Sequence, residues 1–277
     1  MQPAYGIKQN LQLAVLIDAD NVPRNCLKGV LEEIAIYGTP TIKRIYGDWT
    51  NPSVGGWKTS LLENAVTPIQ QYGYTTGKNS TDSAMIIDAM DILYSDKVDG
   101  FVIVSSDSDF TRLAIRLREA GMKVIGIGEK KTPSAFIVAC DKFIYIEVIR
   151  SNAAERNAAE ERIKSEAEAR DESEKKKTKP SPQVKQKSQK VPDRIVQLIS
   201  DSVSDLADLS NEDSGGVFMG DLGNLIMKKQ PDFDCRNFGF RSLSALIKSL
   251  DRFEVEFRQS TDPNIKLPFV RERELPV

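Results

Sequence analysis

The chain contains no histidine. That absence removes the histidine-based hydrolase triads and every histidine-ligated zinc centre, so acid–base or metal chemistry has to run on carboxylates. Cysteine is scarce as well. Cys26, Cys140 and Cys235 lie far apart and form no C-x-x-C pair, which reads as free thiols of a reducing compartment, not a disulfide framework or a zinc site. No apolar run reaches transmembrane length, and the N-terminus lacks the basic-then-apolar order of a signal peptide, so a cytoplasmic protein with no membrane partner is expected. Excess positive charge is also missing. A formal net charge of −2 rules out a uniformly basic coat for nucleic acid and leaves room for a local basic groove.

What is present starts with Leu13-Ala14-Val15-Leu16-Ile17-Asp18-Ala19-Asp20-Asn21, an apolar run ending in carboxylates. Such a run reads as a strand buried on both faces of a parallel sheet. Ligands of open α/β sheets bind outside the carboxyl ends of the strands, where Asp18, Asp20 and Asn21 fall. A second stretch, Gly100-Phe101-Val102-Ile103-Val104-Ser105-Ser106-Asp107-Ser108-Asp109, repeats the pattern. Between them the spacing predicts a helix opening at Val22-Pro23, a strand over Thr41–Gly47, a Trp49-bearing loop, a helix over Lys58–Gln71 and a short strand at Tyr74-Thr75-Thr76. A helix begins at about Asp82 with an apolar stripe of Met85, Ile86, Ala89, Met90 and Leu93. After Asp109 come a helix over Phe110–Ala120, a strand over Lys123–Gly128, a short helix at Ser134–Ala139 and a strand over Phe143–Val148. This alternation indicates a doubly wound, mostly parallel α/β domain over residues 1–150, with helices on both faces.

From residue 151 to 190 acidic, then lysine- and proline-containing sequence with almost no large apolar residues reads as a charged linker, helical at first and then disordered. Helical periodicity returns over 191–277 and ends in alternating Phe253, Val255 and Phe257. Three helices and a hairpin suggest a small winged-helix-like α+β domain. Acidic residues outnumber basic ones there, which argues against tight duplex binding through phosphates.

Asp18, Asp82, Asp107 and Asp109 form the strongest constellation, with Asp20 and Asn21 beside them. An aspartate after a strand often caps the next helix, and Asp20 or Asp82 alone would be read so. Four acids converging at one edge repel without a cation, and carboxylate oxygens suit Mg²⁺ or Mn²⁺. Trp49, Trp57, Lys58, Lys78 and Arg112 are candidates for tracking single-stranded RNA, against a plain reading in which Trp57 packs under its loop. Gly126-Ile-Gly128 lacks the third glycine of a dinucleotide fingerprint.

Asp18-Ala-Asp-Asn21, Lys78-x-x-x-Asp82 entering a helix, and Ser105-Ser-Asp-Ser-Asp-Phe110 resemble the NYN domain, a branch of the PIN-like ribonucleases. The resemblance covers roughly residues 11–148. It implies a PIN-like α/β fold, a metal-dependent endoribonuclease, and catalytic and metal-ligating acids at Asp18, Asp82, Asp107 and Asp109, supported by Asp20, Asn21 and Ser106. Asn237-Phe-Gly-Phe-Arg-Ser-Leu is similar to the LOTUS (OST-HTH) domain, which implies RNA binding or a protein partner; Phe240, Arg241 and Lys248 are the expected contacts, against a plain reading in which Phe238 and Phe240 close the small core. Two other functions remain open. A haloacid-dehalogenase-like phosphatase also follows its first strand with Asp-x-Asp, although Asn21-Val22 stands where that family has a small pair. A non-catalytic RNA-binding adaptor would keep the acids without turnover.

Overall fold

The computed structural model describes residues 10–73, 80–153, 191–210, 216–260 and 266–273. Two compact units, Met1–Glu174 and Lys175–Val277, make up the chain.

The first unit is built on a six-stranded sheet of order β3-β2-β1-β4-β5-β6, parallel throughout. Its elements run β1 (Leu11–Asp18), α1 (Leu27–Ile34), β2 (Gly38–Gly47), α2 (Lys58–Asn64), β3 (Thr67–Gln70), α3 (Ser80–Tyr94), β4 (Gly100–Val104), α4 (Thr111–Glu119), β5 (Lys123–Gly128), α5 (Ser134–Ala139) and β6 (Lys142–Tyr145). Residues 146–153 form a further helix, α6. Period-two alternation divides the core. Leu13, Val15 and Ile17 pack with Leu27, Val30 and Ile34 of α1 and Leu61 of α2. Ala14 and Leu16 face the other way, onto Met85 and Ala89 of α3, Leu113 of α4 and Phe136 of α5. Every residue of β4 is buried, and each such Val, Ile or Phe contributes roughly 1.5–3 kcal/mol. That apolar framework holds carboxylates at its strand ends despite their mutual repulsion.

Two local expectations need correction. The helix over Lys58–Gln71 stops at Asn64, and Thr67–Gln70 is a strand. Ala65 caps the helix in the left-handed region (φ 50°), and Pro68 cannot continue a helix but is tolerated in β3, an edge strand. The strand expected at Tyr74–Thr76 lies outside the described residues. The strand over Phe143–Val148 ends at Tyr145, after which α6 buries Ile146 and Ile149 in the core; a short apolar run does not distinguish strand from buried helix. The expected linker over 151–190 lies outside the described residues except for 151–153, which continue α6.

The second unit comprises α7 (Asp193–Ser210), β7 (Val217–Phe218), α8 (Met219–Lys229), α9 (Leu243–Lys248), β8 (Phe253–Gln259) and β9 (Lys266–Glu272). Its antiparallel sheet runs β7-β9-β8. Ile195, Ile199, Leu222, Ile226, Leu246, Ile247 and Phe253 share one core. The three helices and the hairpin match the sequence reading, and β7 is an addition too short for periodicity to reveal.

Candidate active site

Parallel pairing of β1 with β4, in register Ile17 to Val104, carries Asp18 and Ser105 to adjacent strand ends. Asp18 is only 1% exposed. Its Oδ2 accepts hydrogen bonds from Asn21 Nδ2 and Ser105 Oγ, both at 2.8 Å, and its Oδ1 accepts from the Asp20 N–H at 3.1 Å. Ser105 Oγ in turn accepts from the Asp107 N–H at 3.1 Å. The Asp107 carboxylate accepts from the Asp109 N–H at 2.9 Å and so caps the short 3-10 turn Ser108–Phe110 that leads into α4. Each strand-end aspartate thus organises its own turn, and Ser105 links the two.

Asp82 arrives from the first turn of α3. That helix is pinned to β2 six residues further on, where Asp88 accepts hydrogen bonds from the Arg44 guanidinium and the Tyr46 hydroxyl. Tyr46 is fully buried, and burial together with the Asp88 carboxylate pushes its phenol well above its ordinary pKa. Arg44 and Tyr46 stand two apart on β2, so both face α3.

The carboxylates of Asp82, Asp107 and Asp109 each place an oxygen within 4.8 Å of the other two. Asp82 is half-buried, and its pKa is raised to about 6, first by desolvation and then by the charges of Asp18, Asp107, Asp109 and Asp20. Desolvation and the charges of Asp18 and Asp48 also raise Asp20. This donor set fits a hard divalent cation. It is all oxygen, it converges, and it carries repulsion that a cation relieves.

The remaining expected residues scatter. Asn21 bonds Asp18 directly. Ser106 turns away, its hydroxyl accepting from the Glu129 N–H at 2.9 Å. Trp49 is half-buried, with Nε1 donating to the Ile69 carbonyl at 2.9 Å. Trp57 is 4% exposed and belongs to the core, as the plain reading had it. Lys58 and Arg112 are exposed. Lys78 lies outside the described residues. In the second unit Phe240 packs half-buried against the core, Arg241 is exposed, and Lys248 Nζ sits 4.9 Å from the ring centroid of the exposed Phe257.

Sequence reading passed over Ser105, Asp48 and the Arg44–Asp88–Tyr46 group. Ser105 was within reach: Phe101, Ile103 and Ser105 share strand parity with each other and face α3, whereas Ser106 has the opposite parity. Asp48 accepts from the Thr50 hydroxyl at 2.5 Å, from Gln70 Nε2 at 2.9 Å and from the Thr50 N–H at 3.1 Å, and these hydrogen bonds, the hydroxyl's first, hold its pKa down at about 2. Nothing in the local sequence announces the pairing with Gln70.

Residues 12–147 match the NYN domain and residues 186–265 the OST-HTH/LOTUS domain. The chain is therefore an NYN-domain protein carrying an OST-HTH/LOTUS domain after it. NYN domains belong to the PIN-like nuclease superfamily, and OST-HTH/LOTUS domains bind RNA. No curated protein matches the chain. Among solved structures, a protein of unknown function from Vibrio parahaemolyticus is 20% identical with a TM-score of 0.43, covering 53% of this chain and 96% of its own. An uncharacterized protein from Nitrosomonas europaea is 29% identical with a TM-score of 0.28, covering 38% of this chain and 96% of its own. No helix among the described residues is long and apolar enough to cross a membrane.

Proposed function

We propose that the protein is a Mg²⁺- or Mn²⁺-dependent endoribonuclease whose second unit holds the RNA. The observation that carries this reading is the convergence of Asp82, Asp107 and Asp109 within 4.8 Å at the carboxyl ends of a parallel sheet, next to buried Asp18. Asp82, Asp107 and Asp109 hold the cation, and Asp18 acts behind them as a charged anchor. When bound, the cation sets positive charge against the phosphodiester and acidifies water. The chain's own residues supply position. Ser105 ties Asp18 to the Asp107 backbone, and Asp88 fixes the helix that carries Asp82. With no histidine in the chain, the proton lost by the attacking water passes to a carboxylate of this set or to solvent.

A phosphatase using Asp18 as nucleophile fits poorly. At 1% exposure, with three donors already held by its two oxygens, Asp18 is badly placed to attack a substrate. RNA hold belongs to the exposed Arg241, Lys248 and Phe257 of the second unit, where a cation above an aromatic ring makes a stacking platform. The deciding experiment incubates the full chain with single-stranded, duplex and structured RNA in Mg²⁺, Mn²⁺ or EDTA, beside Asp107→Asn. Cleavage that needs the metal and is lost in the variant is expected. RNA binding without cleavage in either metal would leave a non-catalytic adaptor.

A further inference from the structure

A cavity of about 560 Å³ opens beside the carboxylates, lined by Asp20, Arg24, Asn25, Val54 and Trp57. Three of its walls are chemically distinct. Arg24 stands in the short 3-10 turn Arg24–Cys26 after β1 and is exposed. Among the described residues no carboxylate forms an ion pair with it. Its guanidinium lies against Gly56, where any side chain would overlap it.

Asn25 is oriented by Arg150. The Arg150 Nη2 donates to Asn25 Oδ1 at 3.1 Å while its Nε donates to Cys26 Sγ at 2.9 Å. A guanidinium only donates, so the amide oxygen faces Arg150, which leaves the Asn25 amide N–H₂ group as the donor it can offer a ligand. Asp20 supplies the opposite character, a carboxylate that only accepts. Val54 and Trp57, both nearly fully buried, form an apolar wall.

A lone phosphate is a poor occupant, because Asp20 faces it with like charge. A nucleobase edge that offers acceptors on one side and donors on the other suits all three polar groups. Guanine has that edge pattern, with O6 and N7 as paired acceptors for an arginine fork and an N2 amino group as a donor. Its N1–H beside the amino group lets one carboxylate accept twice. We propose that this cavity is a guanine subsite for the nucleotide flanking the phosphate to be cut, with Arg24 and Asn25 donating and Asp20 accepting. The assignment rests on the ribonuclease reading for its place in the reaction, but base binding by itself does not.

The test measures binding of the full chain, in EDTA, to short uridine oligomers carrying one central guanosine or one central adenosine, by fluorescence anisotropy. The guanosine oligomer is expected to bind about tenfold tighter, and Arg24→Ala should erase the difference. Gly56→Val keeps the charge but drives the guanidinium out of place, and should erase it too. Equal affinity for the two oligomers, or a guanosine preference surviving both variants, overturns the subsite. The same oligomers incubated in Mn²⁺ separate the two ideas. Cleavage indifferent to guanosine overturns the subsite and leaves the nuclease standing, whereas guanosine-selective binding that Arg24→Ala abolishes, with no cleavage, does the reverse.

Discussion

Ser105 Oγ donates to Asp18 Oδ2 at 2.8 Å and accepts from the Asp107 N–H at 3.1 Å, so a single hydroxyl joins the ends of β1 and β4. The two aspartates that sequence pattern singles out are therefore one mechanical unit, with a residue between them that the pattern does not weight.

Ser105→Ala should strip one donor from a buried carboxylate and one acceptor from the Asp107 backbone. The expected cost is about 1–3 kcal/mol of stability, accompanied by a marked loss of cleavage. Ser106→Ala, whose hydroxyl only accepts from the Glu129 N–H, should cleave as wild type does. Chemical denaturation and initial rates on single-stranded RNA check both, and equal rate losses in the two variants would undo the assignment.

Asp18→Asn is a poor neutral substitution. Three donors aim at the Asp18 oxygens, and an amide nitrogen cannot accept any of them. It should destabilise by roughly 1–2 kcal/mol, where Asp82→Asn should stabilise the metal-free protein. Asp82 has a folded pKa of about 6 against an ordinary 3.8, so the fold favours its protonated form. The repulsion is absent below about pH 4 and complete above about pH 6, and wild-type stability falls as pH rises between them. Because Asp82 is only half-buried, solvent screening limits the gain in Asp82→Asn at neutral pH to about 1 kcal/mol. Metal-free melting curves of both proteins at matched pH give the difference, and a gap that does not shrink toward pH 4 would contradict the electrostatic origin.

Adding Mn²⁺ or Mg²⁺ should raise the wild-type melting temperature in a concentration-dependent way, because a ligand of the native state alone stabilises it by mass action. Asp107→Asn should lose most of that shift. Unchanged melting across a metal titration would remove the centre.

Asp88→Ala should cost about 1–3 kcal/mol, since it leaves the buried Tyr46 hydroxyl without an acceptor. Tyr46→Phe removes the donor instead, and Asp88 keeps Arg44; its cost should be smaller. Equilibrium denaturation ranks the two. Only Asp88→Ala frees α3 from both of its β2 partners, so it should also slow cleavage more.

In the second unit, Lys248→Ala combined with Phe257→Ala should weaken RNA binding several-fold and make it less dependent on RNA structure, with little change in turnover at saturating RNA. Filter binding over a salt series measures this. Undiminished affinity would point to a protein partner on that surface.

Composition and periodicity alone determined the two apolar strands ending in aspartates, the parallel α/β class, the small helical second unit with its hairpin, and the carboxylate character of the candidate site. Those features follow from local rules: a strand buried on both faces must be continuously apolar, and a chain without histidine has few other acids and bases. Tertiary structure decided the rest. Whether Lys58–Gln71 was one helix depended on Pro68 finding an edge strand, and whether 146–148 was strand or helix depended on which face Ile146 and Ile149 had to cover. The roles within the site depended on pairing over long separations, since Asp18 meets Ser105, and Asp88 meets Tyr46, only because β1 lies between β2 and β4. Strand order is a property of the whole sheet, and no window of sequence contains it.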